Sequence, residues 1–521
     1  MLNTLLYILV TLAFLAFFGL SVVKSMHMFQ LNSYKPPTHM RWMRLNKHCM
    51  IPGTVGAAVT ALLLVLGPGE VVTLPVLTAV FALLAATQRP RKAKKPLVYT
   101  MRVKRMLVTI AVLLIAGGVI AGFLGKIAYL AVVALLALLS PVVVLIANTI
   151  NKPIEKMINQ HYINDAKRIL KNCPKLLKLG VTGSYGKTSV KYILSTLLQA
   201  EYDVLKTPES YNTPMGVVKT VRNFLRATHE VFVCEMGARH VGDIQELCDI
   251  VHPQYGVITS VGPQHLETFF NIENVKKTKF ELADALPESG IIFLNGEDAN
   301  IRDYMHHVKC GIVTYGLSDR CDYYATDISA SSRGTTFTVH TPEGDCETFT
   351  AQMVGAHNVI NIVGAIAVCC KLGIPVQKLR GQVRKLESVP HRLQLIRRNG
   401  VTIIDDAYNA NPTGSKAAID ALALFDGYKI LVTPGMVELG EKQDELNKAF
   451  GAYAAGVCDY VALVGKKQTQ SIYEGLIEAG YPSERIFVGD QLGEALTKVY
   501  AIPTGGKERV ILLENDLPDN F

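Results

Sequence analysis

Acidic side chains are almost missing from the first 150 positions, where Glu70 stands alone against fourteen lysines and arginines. The formal net charge of +9 therefore belongs to the N-terminal region, and the remainder of the chain is slightly acidic. That distribution excludes an evenly basic, nucleic-acid-binding surface, and no nucleic-acid partner is expected. Basic blocks beside apolar runs suit anionic lipid headgroups instead. The ten cysteines form no CxxC pair and no Cys/His spacing of a metal site, and only Cys369 and Cys370 are adjacent. This excludes a zinc ribbon or a disulfide framework and leaves reduced core residues. No internal repeat or low-complexity tract is evident. The first apolar run lacks a basic leading segment and a small-residue cleavage site before Lys24, which argues against a cleaved signal peptide.

What is abundant is apolar sequence, 49% of the chain, concentrated in the first 150 residues. Five runs stand out: Leu2–Val23, Ile51–Leu66, Val71–Thr87, Met106–Leu124 and Ile127–Ile150. A helix needs about 20 apolar residues to cross the hydrocarbon core. The second and third runs are shorter and are joined by Gly67-Pro68-Gly69-Glu70, as a tight helical hairpin or a re-entrant pair. Lys24, Lys35, Arg41, Arg44 and Lys47 fill one loop, and Arg89, Arg91, Lys92, Lys94, Lys95, Arg102, Lys104 and Arg105 another. Positive charge stays on the cytoplasmic side. About five spans then place the N-terminus outside and everything after Asn151 inside. The first cytoplasmic loop carries Met26–Gln30, Tyr34 and Trp42. It reads either as an interfacial segment with aromatic anchors or as a surface that meets a lipid-linked substrate.

After a polar helical stretch from Lys152 to Lys178, short apolar strands alternate with helices, the signature of a parallel sheet with flanking helices. Expected strands are Leu177–Thr182, Val231–Cys234 and Gly256–Ser260, with a helix over Lys187–Ala200. Residues 310–352, rich in Thr, Ser, Asp and Gly, read as a small antiparallel β insertion, and Gly355–Leu372 returns to helix. A second, Rossmann-like α/β unit follows Pro390, with strands at Val401–Asp405, Lys429–Thr433, Tyr460–Val464, Arg485–Val488 and Arg509–Leu513. The expected domains are 1–150, a transmembrane region; 151–388, a central P-loop domain; and 389–521, a C-terminal Rossmann-like domain.

Gly180-Val181-Thr182-Gly183-Ser184-Tyr185-Gly186-Lys187-Thr188 joins a strand to a helix. Such a turn points backbone N–H groups and a helix N-terminus at an anion. Lys187 can neutralise β/γ-phosphates and the Thr188 hydroxyl can hold Mg²⁺. The general P-loop pattern fails, because Val181 stands where its first glycine belongs. Glu235, at a strand end and followed by Met236-Gly237-Ala238, is where a Mg²⁺-ligating carboxylate would stand.

The compressed run Thr182–Thr188 resembles the phosphate loop of the Mur ligases. The likeness continues through Glu235-Met236-Gly237-Ala238, Ile258–Glu267, Lys279-Phe280-Glu281, Gly355–Asn361, Pro390-His391-Arg392-Leu393, Ile404–Pro412 and Gly435–Gly440. Of these, Ile404-Asp405-Asp406-Ala407-Tyr408-Asn409-Ala410-Asn411-Pro412 is the most specific. Within the family the motifs are most like the branch that joins D-alanyl-D-alanine to a UDP-linked muramoyl tripeptide. The resemblance implies an ATP-dependent, ADP-forming carbon–nitrogen ligase of bacterial peptidoglycan synthesis, working through an acyl phosphate. Lys187, Lys279, His265 and Glu235 would be its catalytic residues. Gly183, Ser184, Gly186, Lys187, Thr188, Ser189, His357, Asn358, Asn361, Arg392, Asp406, Tyr408 and Asn409 would hold ATP. Two Mg²⁺ would rest on Thr188, Glu235, His265 and Lys279, the lysine in carbamylated form.

The family's N-terminal UDP-gripping domain is replaced here by the membrane region. Its usual basic Lys-Gly-Ser turn after the last strand is replaced by Glu514-Asn515-Asp516. The expected partners are a cell-wall precursor, an amino-acid or peptide amine, the lipid bilayer of a bacterial cell and other membrane proteins of peptidoglycan synthesis. Two other readings stay open. One is a ligase for a lipid-linked precursor or another membrane-bound carboxylate. The other is a membrane transport or scaffold protein whose P-loop domain senses ATP.

Overall fold

The structure is a computed structural model; it describes residues 2–89, 96–398, 400–407, 410–437 and 439–516. Two compact units divide the chain, one up to Gln160 and one from His161 onward.

The first unit is helical: α1 (Leu2–Leu31), α2 (Pro36–Leu45), α3 (Ile51–Leu66), α4 (Glu70–Thr87), α5 (Met101–Leu124), α6 (Lys126–Leu139) and the start of α7 (Val143–Lys171). Helices α1, α4 and α5 are long and apolar enough to cross a membrane, and α6 with α7 would make a fourth span as a bent pair. The expected run Ile127–Ile150 is therefore not one straight helix. It breaks at Ser140-Pro141-Val142, and the two pieces meet at 83°. Proline fixes φ and cannot donate to the preceding turn, which permits the break. Ser21 Oγ donates to Ser140 Oγ (3.0 Å), and Ser25 Oγ to the Pro141 carbonyl (2.6 Å), so α1 absorbs exposed polar groups at the break. At the opposite end of α6, Lys126 pairs with Glu70 (2.5 Å), which also accepts from Asn3 (2.9 Å). Part of the second basic loop, Arg91, Lys92, Lys94 and Lys95, lies outside the described residues.

The second unit begins with the end of α7 and runs through β1 (Leu177–Thr182), α8 (Lys187–Leu198), β2 (Val204–Lys206), α9 (Pro214–Phe224), β3 (Val231–Glu235), α10 (Asp243–Val251), β4 (Tyr255–Ile258), α11 (Leu266–Phe269), α12 (Ile272–Asp284), β5 (Ile291–Asn295), α13 (Ala299–Tyr304), β6 (Gly311–Gly316), β7 (Tyr323–Ser331), β8 (Gly334–His340), β9 (Cys346–Ala351), α14 (Ala356–Lys371) and α15 (Arg380–Arg384). These strands form one nine-stranded sheet in the order β2-β3-β1-β4-β5-β6-β7-β8-β9. β2 to β7 pair in parallel, and β7 to β9 are antiparallel; β6, within the expected antiparallel insertion 310–352, instead extends the parallel sheet. β3 is buried at every residue, whereas β9 alternates exposed and buried side chains. That contrast separates a strand covered on both faces from one wetted on a single face.

The chain then makes a six-stranded sheet from β10 (Gln394–Arg398), β11 (Val401–Asp406), β12 (Tyr428–Thr433), β13 (Tyr460–Val464), β14 (Ile486–Gly489) and β15 (Arg509–Glu514), in the order β10-β11-β15-β12-β13-β14. Only β10 runs antiparallel. Its helices are α16 (Pro412–Ala423), α17 (Gln443–Ala455), α18 (Gln470–Glu478) and α19 (Leu492–Ala501). α16 starts on Asn411, whose side chain accepts from Gly414 N (2.8 Å), with Pro412 in the first turn.

α17 and α18 pack backbone to backbone. A Cβ on Gly475 would lie 2.0 Å from the Lys448 carbonyl, and one on Gly451 would lie 2.2 Å from that of Ile472. Gly475→Ala must push the helices apart, and overpacking of this kind costs about 1–3 kcal/mol. A lowered thermal midpoint of the detergent-solubilised protein checks this; an unchanged one contradicts the packing.

Candidate functional site

β1 ends in the phosphate-loop sequence, and two glycines let the chain turn there. Gly183 has φ 149°, and a Cβ on it would sit 2.1 Å from Thr259 Oγ1. Gly186 has φ 79° and caps α8 in the left-handed region, which glycine enters without strain. The loop is stapled to the segment after β4. Ser184 N donates to the Ser260 carbonyl (2.8 Å), Tyr185 N to Ser260 Oγ (2.8 Å), and Tyr185 OH to the Pro263 carbonyl (2.8 Å). Ser184 Oγ and the backbone of Gly262 bond reciprocally at 3.0 Å. The cradle is thus held by the segment after β4 and not by its own turn alone.

Lys187 folds back over the loop, donating to the carbonyls of Gly183 (2.6 Å) and Ser184 (3.0 Å). Burial pulls its ammonium down to about 8, with Arg392 adding to the fall and Glu235 opposing it. Thr188 Oγ1 donates to Glu235 Oε1 (3.1 Å), and Arg392 Nη2 approaches the same hydroxyl at 3.4 Å. Arg392 enters from the segment that leads into the second sheet, so both α/β halves meet at Thr188.

Glu235 is 1% exposed. Its Oε1 also accepts from Asn212 Nδ2 (3.1 Å), and its backbone N–H donates to Thr207 Oγ1 (3.1 Å). The Lys191 ammonium lies 2.9 Å from Oε2, close enough for charge neutralisation but not aligned as a hydrogen bond. Lys191 also donates to the Glu209 carbonyl. The sequence reading missed Lys191 and Asn212. Lys191 carries a signal in retrospect: it stands one helical turn after Lys187 on α8 and so shares its face.

The donor set can be tested against a divalent cation. Among the described residues no three His, Cys, Asp or Glu side chains gather as a metal cluster. The Thr188 hydroxyl and the Glu235 carboxylate are adjacent, and Glu235 Oε2 is buried without an aligned hydrogen bond. A hard cation accepts such oxygens, and Mg²⁺ binds through one or two carboxylates plus phosphate oxygens. These residues fit one Mg²⁺ held jointly with a nucleotide. Lys279 is buried on α12, and its ammonium stands 5.9 Å from the Phe269 ring centroid. Burial, then repulsion by Lys187, pulls its pKa well below the ordinary lysine value, which favours the neutral amine. Two residues on, Glu281 accepts from Gly242 N (2.7 Å) and Gln245 N (3.0 Å), clamping the start of α10.

His265 lines a small open cleft with Pro263, Gln264, Ala410, Asn411, Val437 and Leu439. Asn361 is next to the loop, since a Cβ on Gly186 would lie 3.2 Å from its Oδ1. Ser189 follows Thr188 in the first turn of α8 and is partly buried. Asn358 is committed elsewhere, its Nδ2 donating to the Val354 carbonyl (2.8 Å). The His357 side chain, Tyr408 and Asn409 lie outside the described residues.

A second polar knot sits at the carboxyl ends of β11, β12 and β15, the edge where open α/β sheets bind ligands. Asp406 Oδ1 accepts from Leu393 N (3.1 Å), and burial pushes its carboxyl up to about 6. His391 Nδ1 is 2.8 Å from Asp405 Oδ2. Glu514, in the acidic turn that departs from the family, accepts from Ser415 Oγ and from Thr433 Oγ1 (2.6 Å). Asn515 Nδ2 donates to the Gly435 carbonyl (2.6 Å), and Ala410 N donates to its Oδ1 (3.3 Å).

A Mur ligase middle domain matches residues 181–369, and the Mur ligase glutamate ligase domain matches 391–513. Together they cover more than half of the chain, which belongs to the Mur ligase family. Among curated relatives, UDP-N-acetylmuramoyl-tripeptide–D-alanyl-D-alanine ligase of Bacillus subtilis is 35% identical over 277 residues, 53% of this chain and 59% of that one. The Escherichia coli ligase of the same name is 32% identical over 294 residues, 56% and 64% of the two chains. The chain thus spans about three fifths of the length of these relatives. Among solved structures, MurF of Acinetobacter baumannii has TM-score 0.64 and 25% identity, covering 70% of this chain and 78% of that one. MurF of Thermotoga maritima in complex with ADP has TM-score 0.62 and 28% identity, covering 69% and 80%.

Burial raises Glu514 to about 7, against the two hydroxyls that favour its charged form. The folded protein therefore holds this proton more tightly than the unfolded chain. Its contribution to stability is complete below about pH 4.5 and declines as pH rises towards 7. In Glu514→Gln that decline is removed. The variant's unfolding free energy relative to wild type should rise between pH 5 and 8, by up to ~3 kcal/mol. A pH-independent difference would place the charge elsewhere.

Proposed function

We propose that this protein is a membrane-anchored, ATP-dependent amide-bond ligase acting on a peptidoglycan precursor. The observation that carries the reading is the meeting of Lys187, Thr188, Glu235 and Arg392, contributed by both α/β halves, at one phosphate-binding turn. The catalytic part comprises 151–388 and 389–521, and 1–150 is the membrane region with about five spans, N-terminus outside and ligase domains cytoplasmic. The short α3 and α6 count as spans in this reading, because both ends of α6 are matched in polarity by α1 and α4.

ATP would lie across Gly183, Ser184, Gly186, Lys187, Thr188 and Ser189, with His357, Asn358, Asn361, Arg392, Asp406, Tyr408 and Asn409 on the adenosine and phosphate sides. Its γ-phosphate passes to a substrate carboxylate, giving an acyl phosphate and ADP. The attacking amine then displaces phosphate and forms the amide. Lys187 and Arg392 spread the charge that develops on the transferring group. Thr188 and Glu235 would hold one Mg²⁺, with His265 and carbamylated Lys279 serving a second; bound there, the metals supply Lewis-acid charge stabilisation. Burial of Lys279 supports this reading, since it shifts the side chain towards the neutral amine, the form that takes up carbon dioxide. Closing the cleft at His265 and Asn411 would exclude water from the acyl phosphate.

The carboxylate substrate is a UDP-linked muramoyl peptide or its lipid-linked counterpart. The membrane region favours the second, because confinement at a bilayer raises the effective concentration of a membrane-bound substrate. Phosphate release by the purified protein should depend strictly on both a carboxylate precursor and an amine. Release with ATP alone would instead indicate an ATP-sensing transport or scaffold protein. Comparison of kcat/KM for the nucleotide and undecaprenyl-linked precursors in one nanodisc preparation separates the two substrates. A preference for the nucleotide form that survives deletion of residues 1–150 rejects the lipid-linked one.

Lys279→Ala should lose activity and regain part of it with a small added carboxylic acid, whereas Lys187→Ala should not respond. Full activity of Lys279→Ala without acid would refute the carbamate role.

A further inference from the structure

The first half of α7 buries polar side chains beside Val143, Val144 and Ala147 and leaves a row of apolar ones exposed, unlike a helix in water. Asn148, Asn151 and Glu155 are buried. Arg102 Nη2 donates to Asn148 Oδ1 (2.9 Å), Asn151 Nδ2 to Thr109 Oγ1 (2.8 Å), and Arg105 Nε to Glu155 Oε1 (2.7 Å). On the opposite face Ile146, Ile150, Ile154 and Met157 are 41%, 49%, 48% and 73% exposed, a continuous stripe at helical spacing. Lys152 and Lys156, also exposed, stand one turn apart on the flank between the two faces.

The direction of this helix is set by its neighbour. α7 leaves α6 at 83°. α6 runs from the Glu70–Lys126 end of the bundle to the end marked by Ser21, Ser25 and Gly53, where a Cβ on Gly53 would lie 2.4 Å from the Ala137 carbonyl. A helix at nearly a right angle to one that traverses the bundle runs along the bilayer plane. Its partners on α5 agree: residues 148, 151 and 155 meet 102, 109 and 105, which is the order of a crossing and not of a parallel or antiparallel pair.

We propose that residues 143–157 lie in the cytoplasmic lipid interface, with Ile146, Ile150, Ile154 and Met157 in the headgroup–acyl boundary and Lys152 and Lys156 on anionic headgroups. This rests on the membrane-spanning reading of α1 to α6 and deepens it by naming the partner of an exposed stripe. An amphipathic helix of this kind buries its apolar face about 5–10 Å into that boundary. Lysines on its flank suit the negative surface of the cytoplasmic leaflet. The interior polar bonds are stronger for being out of water, and they hold α7 on α5 beside the buried Val143, Val144 and Ala147.

Trp42 is the chain's single tryptophan, so Trp42→Phe gives a silent background for tryptophan scanning of the full-length protein. Single-tryptophan variants Ile150→Trp and Ile154→Trp are reconstituted in vesicles of phosphatidylglycerol and phosphatidylcholine. Ile115→Trp, in the middle of α5, serves as the lipid reference and Tyr500→Trp as the aqueous one. Each variant is first checked for an unchanged elution profile and thermal midpoint. The α7 probes should lose most of their emission to phospholipids brominated near the headgroup and little to acrylamide. Quenching by acrylamide as strong as at Tyr500→Trp, with none from brominated lipid, overturns the proposal. Failure of Ile115→Trp to respond to lipids brominated deep in the chain overturns the membrane-spanning reading itself. In Lys152→Glu/Lys156→Glu the lipid quenching of the Ile150→Trp probe should fall in anionic vesicles and hold in pure phosphatidylcholine. Equal quenching in both removes the headgroup contact.

Discussion

A carboxylate buried at the end of a strand constrains the whole central site. Glu235 is out of water, and an isolated buried charge costs several kcal/mol unless it is paired and hydrogen-bonded. Its partners come from separate elements: Thr188 and Lys191 from α8, Asn212 from the loop before α9, and Thr207 behind its backbone. Satisfying that one group fixes the orientation of α8, and α8 carries the phosphate loop. The parallel pairing of β1 with β3 sets Val181 beside Glu235, so sheet register and site geometry are one constraint. Because Lys191 already balances part of the charge, Glu235 suits a dication that brings phosphate oxygens with it. It suits less well a cation held by protein ligands alone.

The second sheet uses the same device with a different outcome. Glu514, at the end of β15, is tied to Ser415 on α16 and to Thr433 at the end of β12. It fixes the start of the helix that follows the Asp405–Pro412 run, and Asn515 fixes the turn at Gly435. Burial raises Glu514 and Asp406 together, so this edge carries less negative charge near neutral pH than its residue count implies. At this turn the chain has a hydroxyl-bonded acid.

The phosphate loop, β1, β3, β4 and the five later strands were legible in the sequence because their signals are local: apolar runs of strand length bounded by glycine or a strand-end carboxylate. β2, β5 and β10 were not read as strands. β2 has only three residues, and β10 is partly exposed and ends in Arg397-Arg398. Among the partners of Glu235, Asn212 was not legible, since it comes near only through the β2–β3 pairing. Asn358 read as a nucleotide contact, and its Nδ2 donates to the backbone before its own helix. The His357 side chain, Tyr408 and Asn409 stay readings of sequence alone.

The membrane region shows the limit of apolar counting most clearly. Ile127–Ile150 is largely apolar, and composition alone makes it one span. Pro141 does not settle the matter, because Pro75 and Pro153 sit inside intact helices α4 and α7. What distinguishes position 141 is acceptance: Ser21 and Ser25 on α1 satisfy the polar groups that the break exposes. A broken helix within a bilayer is tolerated only where protein or water satisfies its freed backbone. Two serines on α1 thus decide where α6 ends. The polar residues of α7 then become intelligible as its inner face, turned to Arg102, Arg105 and Thr109, with the isoleucines on the exposed face.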